Sequence, residues 1–183
     1  MPEEINRIMA DHISDYLFAP TGTSKLNLLA EGIPQEKIFV TGNTVVDAVY
    51  QNLEISRQKV NAFKNMDLKE KGYFLTTVHR AENTDSKTRL SAILDGFRQV
   101  HEEFGLPIIF PAHPRTVKMM HEFGLQVPEG VRITEPAGYL EFLQLESGAR
   151  LILTDSGGLQ EEACILGVPC VTLRDNTERP ETV

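Results

Sequence analysis

Short apolar runs alternate with amphipathic stretches along the whole chain. The apolar runs predict strands, and the stretches with helical spacing of apolar residues predict helices. The predicted strands span residues 16–19, 38–41, 73–78, 107–110, 131–134, 151–153 and 170–173. The predicted helices span residues 2–14, 24–31, 45–63, 87–104, 116–123, 139–147 and 159–166.

The alternation of these elements predicts an α/β fold. Strands that alternate with helices form a parallel sheet, and the crossover helices cover both of its faces. We therefore expect a Rossmann-like domain with a parallel sheet between two layers of helices.

Polar and charged side chains directly follow several of the predicted strands. They are His79, Arg80, His113, Asp155, Ser156, Arg174 and Asp175. In an open parallel sheet the carboxyl ends of the strands lie along one edge, and ligands bind in the crevice there. The positions of these residues predict one shared cleft. A chance arrangement is the alternative, because polar residues are common in the loops that follow strands.

An anion-binding site is predicted where the strand 151–153 meets the helix 159–166. The connecting sequence is TDSGGLQEEA, residues 154–163. Gly157 and Gly158 let the backbone approach a ligand, and the free amides at a helix start attract anions. Glu161 and Glu162 are expected in the first helical turn, where one of them could accept hydrogen bonds from a sugar or ribose. The alternative is an ordinary turn followed by two solvated glutamates.

Composition narrows the classes of partner. The chain has 183 residues, 41% of them hydrophobic, and a net charge of -8, which disfavours a nucleic-acid partner. It has no apolar run long enough for a membrane span and no signal peptide, so we expect a cytoplasmic protein without a membrane partner. The two cysteines do not have the spacing of a metal or redox motif, and no metal is predicted.

Several blocks of sequence occur in the order and at the spacing of one known family. They are PEEINR (2–7), FAPT (18–21), TGNTVVDA (41–48), TVHRAEN (77–83), TDSGGLQEEA (154–163), LGVP (166–169) and LRDNTERPE (173–181). These blocks resemble the non-hydrolysing UDP-N-acetylglucosamine 2-epimerases. The resemblance implies the GT-B architecture, which has two Rossmann-like domains with the active site between them, and a homodimer.

The resemblance also implies that this chain is a piece of a longer protein. Residues 1–42 would be the last part of the N-terminal Rossmann-like domain. Residues 43–183 would be most of the UDP-binding domain, truncated at its C-terminus. The isolated piece is expected to be inactive.

Roles for individual residues follow from the resemblance. Ser156, Gly157 and Gly158 would hold the pyrophosphate, and Glu162 would accept hydrogen bonds from the ribose hydroxyls. The remaining candidates are His79 beside the pyrophosphate as a stabiliser or proton donor, Arg179 facing the diphosphate or sugar, Ala137 and Phe142 framing the uracil, and Glu3 as a catalytic carboxylate. The role of His113 stays open.

The implied reaction is the interconversion of UDP-GlcNAc and UDP-ManNAc. A base removes the C2 proton while UDP leaves C1, which gives 2-acetamidoglucal, and UDP then adds back with a proton delivered to the other face. This chemistry needs no nicotinamide, and no cofactor is predicted; the chain contains no GxGxxG fingerprint. The alternative function is a UDP-sugar-dependent glycosyltransferase of the same architecture.

Overall fold

The computed structural model describes residues 2–177 and 179–182, without the side chains of residues 2, 3 and 180. The helices of this part are α1 (Pro2–Ile13), α2 (Gly22–Ala30), α3 (Thr44–Lys59), α4 (Ala62–Asn65), α5 (Ala81–Thr84), α6 (Lys87–Phe104), α7 (Pro114–Glu122), α8 (Tyr139–Gly148) and α9 (Gly157–Leu166). The strands are β1 (Leu17–Ala19), β2 (Ile38–Val40), β3 (Phe74–Thr77), β4 (Ile108–Pro111), β5 (Val131–Thr134), β6 (Leu151–Thr154) and β7 (Cys170–Thr172). Short 3-10 helices occur at Gln35–Lys37 and Pro180–Thr182.

The chain divides into two compact units, Met1–Ala48 and Val49–Val183. In the first unit β1 and β2 form a parallel pair in which Leu17 lies opposite Ile38. Both residues are buried in a small apolar core that also contains Leu28 of α2. Thr21 caps α2, because its hydroxyl accepts a hydrogen bond from the Ser24 amide at 3.1 Å.

The second unit contains a five-stranded parallel sheet in the order β5-β4-β3-β6-β7. From β3 the chain first adds β4 and β5 on one side, and then returns to add β6 and β7 on the other side. This is the strand order of a doubly wound α/β sheet. The reversal lies between β3 and β6, which pair with Phe74 opposite Leu151. Ligands of such sheets bind at the carboxyl ends of the strands beside this reversal.

Helices cover both faces of this sheet. Successive strand residues point to opposite faces, and the adjacent residues Phe74 and Leu75 belong to two different apolar clusters. The Phe74 cluster includes Leu94 of α6 and Met120 of α7. The Leu75 cluster includes Leu145 of α8 and residues of α4 and α9. Each fully buried Leu contributes about 1.5–3 kcal/mol, so the two layers hold the strand ends in place.

All seven predicted strands are present, and the predicted helices are present with some changes in their bounds. The predicted helix 45–63 is two helices, because Asn61 accepts a hydrogen bond from the Lys64 amide and caps a new helix there. The short helix α5 was not predicted, since one helical turn carries no apolar periodicity. Three helices begin two residues earlier than predicted: α2 at Gly22, α7 at Pro114 and α9 at Gly157.

None of the helices in the described part of the chain has the length and apolar character needed to cross a bilayer.

Candidate functional site

The reversal of strand order brings His79 and Asp155 together. His79 follows β3 and Asp155 follows β6, and these two strands are neighbours in the sheet. The Asp155 side chain is fully buried, whereas the imidazole of His79 is 46% exposed. The sequence therefore places a buried carboxylate beneath an accessible imidazole at the edge where this fold binds ligands.

Asp155 accepts hydrogen bonds from several donors of the loop that follows β3. The His79 and Arg80 amides donate at 3.0 and 2.9 Å, and the Asn83 side-chain amide donates at 3.0 Å. Burial alone opposes ionisation of this carboxyl, but these bonds and the His79 ring outweigh it and hold the pKa of Asp155 below its usual value. Asp155 is therefore an anion that fixes the loop.

The same carboxylate orients the His79 ring. His79 Nδ1 lies 3.0 Å from Asp155 Oδ1. A carboxylate acceptor at Nδ1 selects the tautomer with the proton on that nitrogen, which leaves Nε2 as the atom available to a ligand. His79 is thus a fixed group that can accept a hydrogen bond at Nε2 when neutral and donate one when protonated.

The first turn of α9 lies directly after Asp155. Ser156 is the N-cap residue, and its hydroxyl accepts a hydrogen bond from the Leu159 amide at 3.3 Å. The Gln160 amide bonds to the Ser156 carbonyl at 3.1 Å, so the amides of Gly157 and Gly158 precede the first intrahelical hydrogen bond. Amides in this position, at the positive end of a helix, form an anion site.

The cap at Ser156 corrects two expectations about this segment. The two glycines are the first two residues of the helix and do not form a separate turn before it. Glu161 and Glu162 therefore lie in the second turn, and the first turn contains no acidic residue. The reason is that Ser is a strong N-cap, which outweighs the low helix propensity of Gly.

Neither the backbone conformation nor the packing at position 158 requires a glycine. Its φ is not positive, and among the described residues a Cβ atom built on it would meet only the Ser156 hydroxyl, at 3.9 Å. Gly in a helix is less stable than Ala by about 1 kcal/mol, so the residue reduces helix stability without relieving strain. The open space over this residue suits close approach of a ligand.

Glu162 lies between two other ionisable groups. The Tyr139 hydroxyl donates a hydrogen bond to Glu162 Oε1 at 3.1 Å, and the carboxyl of the buried Glu146 also lies within hydrogen-bond reach of Glu162. Burial raises the pKa of Glu162, and the hydrogen bond from Tyr139 partly offsets that effect. The prediction from sequence included Glu162 but missed both neighbours.

Ala137 and Phe142 line a small cavity next to His79. The cavity has a volume of about 190 Å³, and its other walls come from the ends of β3 and β4. His113 also lines it, and His113 Nδ1 accepts a hydrogen bond from the Arg115 amide at 3.2 Å, which caps α7. The structure therefore places Ala137 and Phe142, the residues predicted to frame the uracil, in the same cavity as His79, and gives His113 a role in capping.

Arg179 lies against α9. Its Nε is 3.1 Å from the Glu161 carboxylate, and its amide donates to the Thr177 hydroxyl at 3.0 Å. The Thr177 hydroxyl in turn donates to Gln160 Oε1 at 2.7 Å. These bonds attach the residues around Arg179 to the helix whose start carries Ser156.

Glu3 belongs to the first turn of α1 in the first unit. Its side chain lies outside the described part of the structure. Its predicted catalytic role therefore stays a prediction.

Comparison with known proteins identifies the family. The sequence model of the UDP-N-acetylglucosamine 2-epimerase family matches residues 1–183. The chain belongs to this family. The UDP-N-acetylglucosamine 2-epimerase of Methanocaldococcus jannaschii is 59% identical over 189 residues, which cover 100% of this chain and 52% of that protein. The enzyme of Methanococcus maripaludis is 56% identical, with the same coverage.

The fold of these epimerases is also the fold of this chain. The crystal structure of the M. jannaschii UDP-GlcNAc 2-epimerase in complex with UDP-GlcNAc and UDP matches with a TM-score of 0.88 and 57% identity, covering 100% of this chain and 51% of that one. The predicted α/β class, with a Rossmann-like sheet of the GT-B type, is confirmed. The chain spans about half the length of the relatives that it matches.

Proposed function

We propose that the protein carrying residues 1–183 is a UDP-N-acetylglucosamine 2-epimerase, an isomerase that interconverts UDP-GlcNAc and UDP-ManNAc. Membership of the family supports this proposal. The observation that carries it is the position of His79 and Asp155 beside the start of α9, at the reversal of strand order. An anion site next to an oriented imidazole suits a reaction in which a nucleoside diphosphate leaves and returns.

The start of α9 is proposed to hold the pyrophosphate. The amides of Gly157 and Gly158 and the Ser156 cap would donate to phosphate oxygens, and the absent side chain of Gly158 leaves room for them. In its protonated form His79 would donate from Nε2 to the same group, because Asp155 binds the proton on Nδ1. As the C1–oxygen bond breaks, negative charge accumulates on UDP, and these fixed donors stabilise it without rearranging.

The nucleoside is proposed to lie along α8 and α9. Ala137 and Phe142 would frame the uracil in the cavity beside His79, and Glu162 would accept hydrogen bonds from the ribose hydroxyls. Arg179 would balance the charge of the diphosphate or contact the sugar. These residues bind and orient the part of the substrate that does not react.

Removal of the C2 proton needs a base, and its return to the other face needs an acid. Glu3 is proposed as one of these groups. The first unit is proposed to be the end of an N-terminal Rossmann-like domain, with the boundary predicted near residue 42. Along the chain, the division into two compact units falls between residues 48 and 49, within α3. We further propose a cytoplasmic homodimer that needs no cofactor.

Incubation of the natural full-length protein with UDP-GlcNAc in heavy water, without any acceptor, tests this proposal. Epimerisation breaks the C2–H bond, so we expect deuterium at C2 and newly formed UDP-ManNAc. A glycosyltransferase would leave UDP-GlcNAc unlabelled under these conditions. An unlabelled substrate would therefore contradict the epimerase and favour sugar transfer.

A further inference from the structure

Glu146 of α8 is a buried carboxyl that the proposed reaction does not use. It is 0% exposed, and neither carboxyl oxygen has a hydrogen-bond donor among the described residues. The polar group within hydrogen-bond reach is the carboxyl of Glu162 on α9. Because a carboxylate has no proton to donate, a bond between these two groups requires that one of them be protonated.

The helix around Glu146 is held firmly. The side-chain amide of Gln144 donates to the carbonyls of Ser56 and Val60, both at 3.0 Å. The Leu145 carbonyl accepts a hydrogen bond from the Tyr73 hydroxyl at 2.6 Å. These contacts fix the backbone on the N-terminal side of Glu146, whose side chain is fully buried.

Burial decides which of the two carboxyls keeps the proton. An unpaired buried carboxylate costs several kcal/mol, and two carboxylates that share a site cannot both ionise at neutral pH. Glu162 is only partly buried and accepts a hydrogen bond from Tyr139, which stabilises its charge. Glu146 has no such donor among the described residues. The proton therefore belongs on Glu146.

We propose that Glu146 is a positioning residue that carries a proton at neutral pH and donates it in a hydrogen bond to Glu162, which fixes the acceptor for the ribose hydroxyls. This inference rests on the proposed function, because it assigns a ribose to Glu162. The Tyr139 hydroxyl would hold Glu162 from the outside and the Glu146 carboxyl from the inside.

Glu146 is the group of this cluster that titrates between neutral and moderately alkaline pH, because the other ionisable groups around Glu146 and Glu162 titrate elsewhere. Burial, followed by the charge of Glu162, raises the pKa of Glu146 to about 9. Burial and the charge of Glu162 raise the pKa of the Tyr139 hydroxyl to about 12. Burial and the charge of Glu146 raise the pKa of the Cys170 thiol on β7 to about 11. Glu161, which adds negative charge beside Glu162, completes the set on α9.

Comparing UDP with 2′,3′-dideoxy-UDP tests the inference. The measured ratio is the dissociation constant of 2′,3′-dideoxy-UDP divided by that of UDP. It reports the contribution of the ribose hydroxyls alone, since both ligands carry the same uracil and diphosphate. Glu146→Gln keeps a neutral donor of the same shape and should keep the wild-type ratio. Glu146→Met keeps the volume but removes the donor, and should lower the ratio about tenfold while 2′,3′-dideoxy-UDP binds as before.

The pH profile provides a second readout that a purely structural role would not change. In the wild-type protein the ratio should fall as the pH rises through about 9, because Glu146 then becomes a second negative charge beside Glu162. In Glu146→Gln the ratio should not change over the same range. Thermal unfolding of both variants verifies that each is folded.

The possible results are distinct. A ratio that Glu146→Met leaves unchanged, or a wild-type profile identical to that of Glu146→Gln, overturns the inference and leaves the epimerase proposal intact. A wild-type ratio near one would instead show that Glu162 does not bind the ribose, which contradicts the proposed nucleotide site and this inference with it.

Discussion

His79 Nδ1 lies 3.0 Å from Asp155 Oδ1, although the two residues are 76 positions apart in the chain. They meet because β3 and β6 are adjacent and parallel, and each residue follows the carboxyl end of its strand. The contact couples the loop after β3 to the start of α9. The proposed donors to the pyrophosphate, on α9 and on His79, are therefore held in a fixed arrangement by this contact.

Asp155→Asn should lower kcat by about 10²-fold, because the uncharged amide no longer fixes the His79 tautomer or stabilises a protonated ring. Steady-state kinetics on the natural full-length protein measures the effect. Asp95→Asn is the matched control, since Asp95 also accepts hydrogen bonds from Arg98 and Gln99 but lies exposed on α6. Equal kcat values for wild type and Asp155→Asn would contradict the role of this pair.

Gly158→Ala should stabilise α9 by up to about 1 kcal/mol and yet weaken UDP binding about tenfold, because the new methyl group occupies space assigned to the ligand. Isothermal titration calorimetry measures the affinity, and thermal unfolding measures the stability. Gly96→Ala is the control, since Gly96 also lies within a helix and a Cβ atom there meets no atom of the described residues within 4 Å. It should stabilise α6 and leave UDP affinity unchanged. Equal UDP affinity in Gly158→Ala and wild type would argue against diphosphate binding at this turn.

Glu146→Gln should be more stable than the wild type at neutral pH. The folded protein holds the Glu146 proton up to a pKa of about 9, whereas the unfolded chain releases it near 4.5. The wild type therefore loses stability as the pH rises from about 4.5 towards 9, by at most about 1.4 kcal/mol per pH unit. The neutral amide has no such dependence.

Urea unfolding at several pH values from 5 to 8 measures this difference. The advantage of Glu146→Gln should grow with pH. Glu54→Gln is the control, because Glu54 is 64% exposed on α3 and should show no such trend. Stability curves of wild type and Glu146→Gln that stay parallel would show that Glu146 is ionised in the folded protein.

Residues 1–183 expressed alone should bind UDP weakly and show no epimerase activity. The second unit contains the proposed nucleotide site, but the chain spans only about half the length of the relatives that it matches. Calorimetry with UDP and the deuterium assay measure the two properties. Epimerase activity of this polypeptide by itself would contradict the prediction.

The sequence predicts the sheet well, since its central strands β3, β4 and β6 are short runs of mostly apolar residues that are buried on both faces. Leu75 and Ile152, for example, are fully buried in β3 and β6. The start of α9 was harder to place, because two consecutive glycines argue against a helix, and only the bond between the Ser156 hydroxyl and the Leu159 amide resolves the matter. The low helix propensity of the two glycines favours a later helix start, whereas the cap at Ser156 favours a start at Gly157, and the cap decides where α9 begins.

The part of the site that sequence reasoning missed depends on pairs of residues from different elements. Asp155 was noted only as a polar residue after a strand, because the donors that surround it come from residues 79–83. The pair of Glu146 and Glu162 likewise joins α8 to α9. Such contacts follow from strand order and helix packing, which a single sequence does not specify.

A crystal structure of the natural full-length protein with UDP bound tests the central claim most directly. We expect diphosphate oxygens within hydrogen-bond distance of the Gly157 and Gly158 amides and of His79 Nε2, with the ribose hydroxyls on Glu162. A nucleotide bound elsewhere, with both glycine amides facing solvent, would contradict the account.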